Sequence, residues 1–189
     1  MRKIIGKFIL KVFGWKLYTV YPKEDKMVVI VAPHTTIMDF VWGLFAWWVI
    51  GVKPNFLIKK ELFFFPLNYI LKAFGGIPVN RTHAASIPLY CKKMFDAGSM
   101  YGLTITPEGT RKKTNRWKRG FYFISEKADV PIYLAFLDYK RKTLGIFMKF
   151  EKTGDVELDM QRIKNFYVNV YGKHPKLFSE FDDNPSEKP

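Results

Sequence analysis

The sequence predicts an α/β fold: a single domain with a mixed, largely parallel sheet flanked by helices, preceded by an amphipathic N-terminal helix. Three observations support this prediction. Short apolar runs alternate with longer segments of helical spacing, the order typical of a sheet covered by helices. The 189 residues suffice for one domain with a sizeable core. Hydrophobic residues make up 48 % of the chain, which excludes a disordered protein.

The N-terminal segment, residues 1–18, has the pattern of an amphipathic helix. Its apolar residues recur at the spacing of one helix face: Ile4, Ile5, Phe8, Ile9, Val12 and Phe13. Lys3, Lys7 and Lys11 form a separate row. This basic amphipathic pattern favours a helix that lies in the interface of an anionic membrane. The alternative is a terminal helix packed on the core of the domain, which we expect over residues 19–178.

The first predicted strand is the apolar, β-branched run Met27–Ala32. A helix is expected from residue 36 to 50, because Thr35 and Thr36 are good N-cap residues. Its apolar stretch, residues 40–52, is shorter than the roughly 20 residues that span a bilayer.

The same spacing rules predict the remaining strands and helices. Strands are expected over 55–58, 76–79, 103–106, 131–137 and 142–151, and helices over 66–74, 83–97, 120–127 and 159–171. Pro88 should kink its helix or delay its start. Residues 179–189 form a polar tail.

The charge balance indicates an anionic partner. Lys and Arg number 31 against 17 Asp and Glu, a net charge of +14, which attracts nucleic acid, anionic lipid, a phosphorylated substrate or an acidic carrier protein. Cys91 is the only cysteine. It allows neither an internal disulfide nor a zinc cage, and we expect a reducing, cytosolic setting with Cys91 in the core.

His34 and Asp39 are the candidate catalytic pair. On a continuous helix, residues five apart point about 140° away from each other, so these two cannot share a face. They can meet if His34 lies in the loop after the strand and Asp39 in the first helical turn. Asp39 would then accept a hydrogen bond from one imidazole nitrogen and leave the other as a base. In the alternative, Asp39 only complements the helix dipole.

Two further segments that follow predicted strands carry candidate binding residues. Arg81 can bind a phosphate through two parallel hydrogen bonds. In the turn that contains Glu108, Gly109 and Thr110, backbone N–H groups can face an oxyanion or phosphate. Arg111 adds positive charge there, and Glu108 can anchor an arginine or a substrate hydroxyl. Solvated surface charges are the alternative for both segments.

Several familiar motifs are missing from the sequence. It contains no GxSxG elbow, no Walker A loop, no GxGxxG and no paired metal-ligand motif. No acyl-enzyme intermediate, nucleotide cradle or metal site is therefore indicated.

In order and spacing, these segments resemble the glycerolipid acyltransferase family, the group of bacterial 1-acylglycerol-3-phosphate acyltransferases. His34–Asp39 matches the HxxxxD signature of that family, and Pro107–Arg111 matches its EGTR block. Lys60–Leu62 and Gly76–Arg81 look like its second and third blocks, and Val130–Ile132 resembles the start of the fourth.

The resemblance implies a reaction and a site. His34, oriented by Asp39, would remove the proton from an acceptor hydroxyl, whose oxygen attacks the thioester of acyl-CoA or acyl carrier protein. No cofactor is expected beyond this acyl donor. The default acceptor is lysophosphatidic acid, and a lysolipid with an amino-acid head is the rival. The residues expected to bind the substrate are Arg81, Glu108, Gly109, Thr110, Arg111 and Lys60.

The expected partners are an anionic membrane surface, a lysolipid, and acyl carrier protein or coenzyme A as the thioester. The protein is expected to be peripheral, at the cytoplasmic face of the cell membrane. The rival from another class is a basic nucleic-acid- or lipid-binding module without catalysis, in which lysines contact phosphates and aromatic rings stack on bases. The intact His34 and Asp39 argue against a silent lipid-binding protein, and no nucleic acid is expected.

Overall fold

A mixed β-sheet organises the chain. The structure, a computed structural model, describes residues 1–114 and 116–178, except for the side chain of Arg81; the predicted tail over 179–189 lies outside the described residues. Within those ranges the sheet has seven strands: β1 Lys16–Leu17, β2 Met27–Ala32, β3 Pro54–Lys59, β4 Gly76–Val79, β5 Gly102–Ile105, β6 Ile132–Asp138 and β7 Thr143–Phe150.

Helices connect most of these strands. The α-helices of the described ranges are α1 Arg2–Val12, α2 Met38–Ile50, α3 Leu67–Ala73, α4 Ile87–Asp96, α5 Gly120–Ala128 and α6 Val156–Phe166. Short 3₁₀ helices cover Lys60–Leu62, Arg81–Ser86 and Pro175–Leu177.

The strand order is β1-β7-β6-β2-β5-β3-β4. Neighbouring strands are parallel except for β6 and β7, so the predicted mixed, largely parallel sheet is confirmed. Ile30 of the central strand β2 pairs with Ile105 of β5, and Ala32 pairs with Phe136 of β6. The loops that follow β2, β5 and β6 therefore meet at one edge of the sheet, where sites of α/β proteins gather.

Both faces of the sheet are covered. Val28 and Ile30 belong to a core cluster with residues of α4, α5 and α6 on one face. Met27 and Val29 point to the other face and pack with Trp47 of α2. This alternation explains why β2 is apolar along its length, as expected for a strand buried on both sides.

The predicted strands over 27–32 and 76–79 match β2 and β4. Helix α4 begins at Ile87 with Pro88 in its first turn, which is the delayed start that proline favours. The last helix was predicted over 159–171 but covers Val156–Phe166, because Asp155 caps it by accepting hydrogen bonds from the backbone N–H groups of Glu157 and Leu158.

Helix α1 packs closely on α2. The backbone of α2 comes so close to Gly6 that a Cβ there would lie 2.8 Å from the carbonyl oxygen of Phe45. Leu10 is buried on the same face, whereas Ile4, Phe8 and Val12 are 73 %, 67 % and 62 % exposed. The predicted apolar face is therefore divided: Ile9 and Phe13 contact the cluster around Trp42, and Ile4, Phe8 and Val12 face outward.

None of the helices in the described ranges is long and apolar enough to cross a bilayer.

Candidate active site

His34 and Asp39 meet at the carboxyl end of β2. His34 lies in the loop that follows the strand, and Asp39 lies in the first turn of α2. The imidazole Nδ1 is 3.0 Å from Oδ2 of Asp39. A carboxylate can only accept, so Nδ1 carries the hydrogen, and Nε2 of the neutral ring keeps its lone pair.

Asp39 is buried and held by four hydrogen bonds. Its Oδ2 accepts the backbone N–H groups of Thr35 at 2.8 Å and Thr36 at 3.0 Å, in addition to His34. Its Oδ1 accepts the hydroxyl of Tyr139 at 2.7 Å. Thr36 Oγ1 accepts the backbone N–H of Met38, the first residue of α2, at 3.4 Å, so the predicted capping role is observed for Thr36. Thr35 Oγ1 instead accepts the N–H of His174 at 3.2 Å.

Tyr139 follows β6 and reaches the site from 100 residues away in the chain. Burial, reinforced by the hydrogen bond to Asp39, raises the pKa of its phenol, so Tyr139 stays a neutral donor. Its ring lies edge to face with Trp15, 5.0 Å between centroids. Tyr139 thus connects Asp39 to the segment that follows α1.

Glu108 was expected to contact the substrate, but its carboxyl group binds the backbone of the protein. Its Oε1 accepts the backbone N–H of His34 at 2.8 Å, and the residue is only 6 % exposed. Among the described residues, its Oε2 has no hydrogen-bond partner. Burial raises the pKa of the carboxyl to about 7, against the opposing effect of the His34 N–H. Glu108 therefore ties the β5 turn to the β2 loop.

The turn after β5 presents the other predicted residues. Gly109 has a φ of 64°, and a Cβ at this position would lie 2.9 Å from Cε of Lys118, so glycine suits this turn. The N–H of Gly109 donates to the carbonyl of Thr106 at 3.0 Å, and this bond removes it from the expected oxyanion donors. Thr110 Oγ1 accepts from the N–H of Lys112. Arg111 is exposed.

A cavity of about 1050 Å³ lies against this edge of the sheet. Its walls are mainly apolar, and they include side chains of α2, β3, β5 and α5. The residues of the candidate site that line it are His34, Asp39, Gly109, Thr110 and Arg111. Lys59 and Lys118 line it too, so basic side chains lie around the histidine.

Three predicted binding residues, Glu108, Lys60 and Arg81, are not among the described residues that line this cavity. Lys60 lies on a neighbouring cavity of about 690 Å³, together with His83 and Lys93, while its neighbour Lys59 lines the main cavity. Arg81 begins a 3₁₀ helix, and its side chain is not described, so its role stays a prediction.

Tyr139 and Lys59 contribute to the site but were missed in the sequence. Tyr139 has no local signal, and only the pairing of Ala32 with Phe136 shows that the end of β6 lies beside the His34 loop. Lys118 belongs to a basic run that is typical of a solvated face. The run lies beside the predicted site, and the backbone N–H of Lys118 donates to the carbonyl of Pro107 at 2.8 Å, so Lys118 lines the cavity.

The arrangement suits proton transfer beside an apolar chain. An imidazole with a fixed tautomer can accept a proton at Nε2, and the carboxylate stabilises the resulting cation. The apolar walls can hold an acyl chain, and the surrounding cations attract an anionic group.

Comparison with known proteins identifies the family of this chain. The model of the acyltransferase family matches residues 17–135, more than half of the chain. The crystal structure of the 1-acyl-sn-glycerophosphate (LPA) acyltransferase PlsC from Thermotoga maritima is similar, with a TM-score of 0.58 and 16 % sequence identity over 87 % of this chain and 76 % of that one. At this identity the likeness shows the fold. No curated protein matches the chain. The family match is decisive: this chain belongs to the acyltransferase family.

Proposed function

We propose that this acyltransferase moves a fatty acyl group from an acyl-CoA or acyl-carrier-protein thioester to the hydroxyl of a lysolipid. The observation that carries the proposal is the contact of 3.0 Å between His34 and Asp39 on the wall of the cavity. A base with a fixed tautomer beside an apolar chamber suits an alcohol that carries a long chain.

His34 acts as the general base. Its Nε2 takes the proton from the acceptor hydroxyl as the oxygen attacks the thioester carbonyl carbon. The C–S bond then breaks, the new C–O ester bond remains, and the thiolate takes the proton from His34. A base positioned in this way contributes about 10²–10⁴ in rate. Direct transfer is supported because no serine or cysteine lines the cavity among the described residues.

Lysophosphatidic acid is the proposed acceptor. Lys59, Arg111 and Lys118 line the cavity and suit its phosphate, with Arg81 as a further predicted ligand. The name of the PlsC neighbour, an LPA acyltransferase, points in the same direction. The same cations would suit the carboxylate of an amino-acid lysolipid, so this acceptor belongs in the assay.

The proposed location is the cytoplasmic surface of the membrane, where α1 makes contact. The exposed side of α1 carries Ile4, Phe8 and Val12, and Lys3, Lys7 and Lys11 can face anionic headgroups. The protein would then meet its lipid acceptor without leaving the membrane.

Thiol release in a purified system tests the reaction. Full-length protein is mixed with acyl-CoA or acyl carrier protein thioester and with lysophosphatidic acid or an amino-acid lysolipid. We expect acceptor-dependent thiol release that falls by about 10²–10⁴ in His34→Ala. The control His83→Ala removes an exposed histidine outside the main cavity and should keep the wild-type rate.

Thiol release by His34→Ala at the wild-type rate would eliminate the base assignment. Absence of thiol release with every acceptor, together with salt-sensitive binding to oligonucleotides, would favour the nucleic-acid module instead.

A further inference from the structure

The connection between β3 and β4 exposes a cluster of apolar side chains. We call it the α3 surface, and it consists of Leu62, Phe64, Phe65, Tyr69, Ile70 and Phe74. Phe65 and Tyr69 are 79 % and 66 % exposed, and their rings lie edge to face, 6.3 Å between centroids. No residue of α3 is buried. Exposed apolar clusters of this kind typically contact another molecule or a membrane.

The charges around the α3 surface have one predominant sign. Lys59 at the end of β3 and Lys60 and Lys72 in the connection are exposed, and Glu61 is the only acidic residue of the connection. Aromatic side chains with lysines beside them are suited to the headgroup region of an anionic bilayer, where the rings enter the interface and the ammonium groups meet phosphates.

The α3 surface adjoins the main cavity. Leu62 both lines this cavity and is 44 % exposed, so it lies at the mouth. At the other end of the connection, the ring of Phe74 contacts that of Phe40 in α2, with 6.4 Å between centroids. A bilayer that covers the α3 surface would therefore lie directly at the entrance to the cavity.

We propose that the α3 surface is a second membrane-contact surface, separate from α1, which inserts its aromatic side chains into the headgroup region of an anionic bilayer. The proposal rests on the proposed lysolipid function only for its purpose, which is to let the acceptor pass from the bilayer into the cavity. The contact itself is independent of catalysis.

A second copy of the chain suits the α3 surface less well. In a two-fold dimer the same surface lies on both partners, so Lys59, Lys60 and Lys72 would meet like charges with few acids to pair them. An anionic bilayer supplies the opposite charge.

A fluorescent label at position 65 tests the contact directly. Cys91, the native thiol, is fully buried, and burial raises its pKa to about 12, so it should not react with a maleimide at neutral pH. Phe65→Cys can therefore be labelled alone in the full-length protein with an environment-sensitive dye. The matched control is Leu158→Cys. Leu158 is 45 % exposed, and it lies on α6, whose Met160 and Ile163 belong to the core cluster that also contains Val28 and Ile30.

We expect the dye at position 65 to shift to the blue on vesicles of phosphatidylglycerol and phosphatidylcholine, and the dye at position 158 to remain unshifted. In flotation, Phe65→Ser with Tyr69→Ser should lower the partition coefficient on these vesicles by about tenfold or more, and Leu158→Ser should leave it unchanged.

Three results would overturn the proposal. In the first, the dye at position 65 stays in water although the protein binds the vesicles. In the second, the double serine variant binds vesicles as tightly as wild type. In the third, the dye shifts to the blue without vesicles, and the shift grows with protein concentration. The last result would assign the surface to a second copy. His34→Ala should bind vesicles as wild type does, so a failure of the catalytic proposal is separable from a failure of this one.

Discussion

At the scale of single residues, Asp39 organises the site. It accepts hydrogen bonds from an imidazole, two backbone N–H groups and a phenol, which satisfies both carboxylate oxygens in a buried position. Such bonds to a charged acceptor are stronger than neutral ones. They hold the carboxylate in one orientation, so the imidazole of His34 has a defined direction before any substrate arrives.

Tyr139→Phe tests whether the phenol positions this pair. The variant keeps the ring contact with Trp15 and loses only the bond to Asp39. We expect kcat to fall by about tenfold. This loss corresponds to part of the roughly 1.5–3 kcal/mol that a charge-assisted hydrogen bond contributes. KM for both substrates should stay within about twofold. Steady-state thiol release measures both constants.

The matched control is Tyr133→Phe, which also removes a bond between a tyrosine and a carboxylate, that of Glu24. Its kcat should equal that of wild type. Because Tyr139 acts through Asp39, adding Tyr139→Phe to Asp39→Asn should cause no further loss. Independent, additive losses in this cycle would contradict the positioning role.

At the scale of elements, the site depends on the contact between the β2 loop and the β5 turn. Glu108 makes this contact with the backbone of His34, but its burial leaves Oε2 without a partner among the described residues. The folded state therefore disfavours the charged form, and a pKa raised from 4.5 to about 7 corresponds to about 3 kcal/mol.

This raised pKa predicts how stability changes with pH. The stability that the protonated Glu108 carboxyl contributes is fully present below the pKa that Glu108 has in the unfolded chain. It is lost as the pH rises through the pKa of about 7 that Glu108 has in the folded protein. Glu108→Gln keeps an acceptor for His34 but cannot ionise. Its free energy of unfolding, relative to that of wild type, should rise by about 3 kcal/mol between pH 4.5 and pH 8.

Urea unfolding of the two proteins across this pH range measures the difference. Glu126→Gln on α5 is the control, because Glu126 is exposed. Parallel stability curves for wild type and Glu108→Gln over the whole range would show that the carboxyl has no elevated pKa in the folded protein.

Local patterns in the sequence predict much of this architecture. The β-branched run of β2 and the glycine and proline signals before β4 and α4 are local, so these elements could be predicted. The meeting of His34 with Asp39 also follows from a local argument, because it requires only a loop followed by a helix. The role of Thr35 was mispredicted because its hydroxyl accepts the backbone N–H of His174, 139 residues away in the chain, instead of an N–H of the first helical turn.

The contacts of Tyr139 and Glu108 could not be predicted in this way. Tyr139 follows β6 and binds Asp39, and Glu108 follows β5 and binds His34, at separations of 100 and 74 residues in the chain. Such contacts depend on strand order and register, which single-sequence periodicity does not contain. The exposure of Ile4, Phe8 and Val12 is a similar case, because the close approach of Gly6 to α2 determines which side of α1 faces outward.

At the scale of the whole molecule, two apolar surfaces lie at different parts of the fold. Helix α1 contacts α2 and lies near β1, while the α3 surface adjoins β4 at the opposite edge of the sheet. The net charge of +14 supports the approach of both to an anionic membrane, and added salt should weaken this attraction. If one bilayer contacts both surfaces at once, α2 lies between two points of attachment.

Simultaneous contact has a quantitative consequence. When two surfaces bind one bilayer together, the partition coefficient contains the product of their contributions. Removing either surface, by Phe8→Ser in α1 or by Phe65→Ser with Tyr69→Ser, should then lower partitioning by about tenfold or more. When the surfaces bind in alternative orientations, the contributions only add, and at comparable strengths the loss of one lowers partitioning by about twofold. We expect simultaneous contact, so that each variant loses about tenfold or more. Flotation of each variant and of their combination measures these losses. Single losses of only about twofold would contradict two-point attachment.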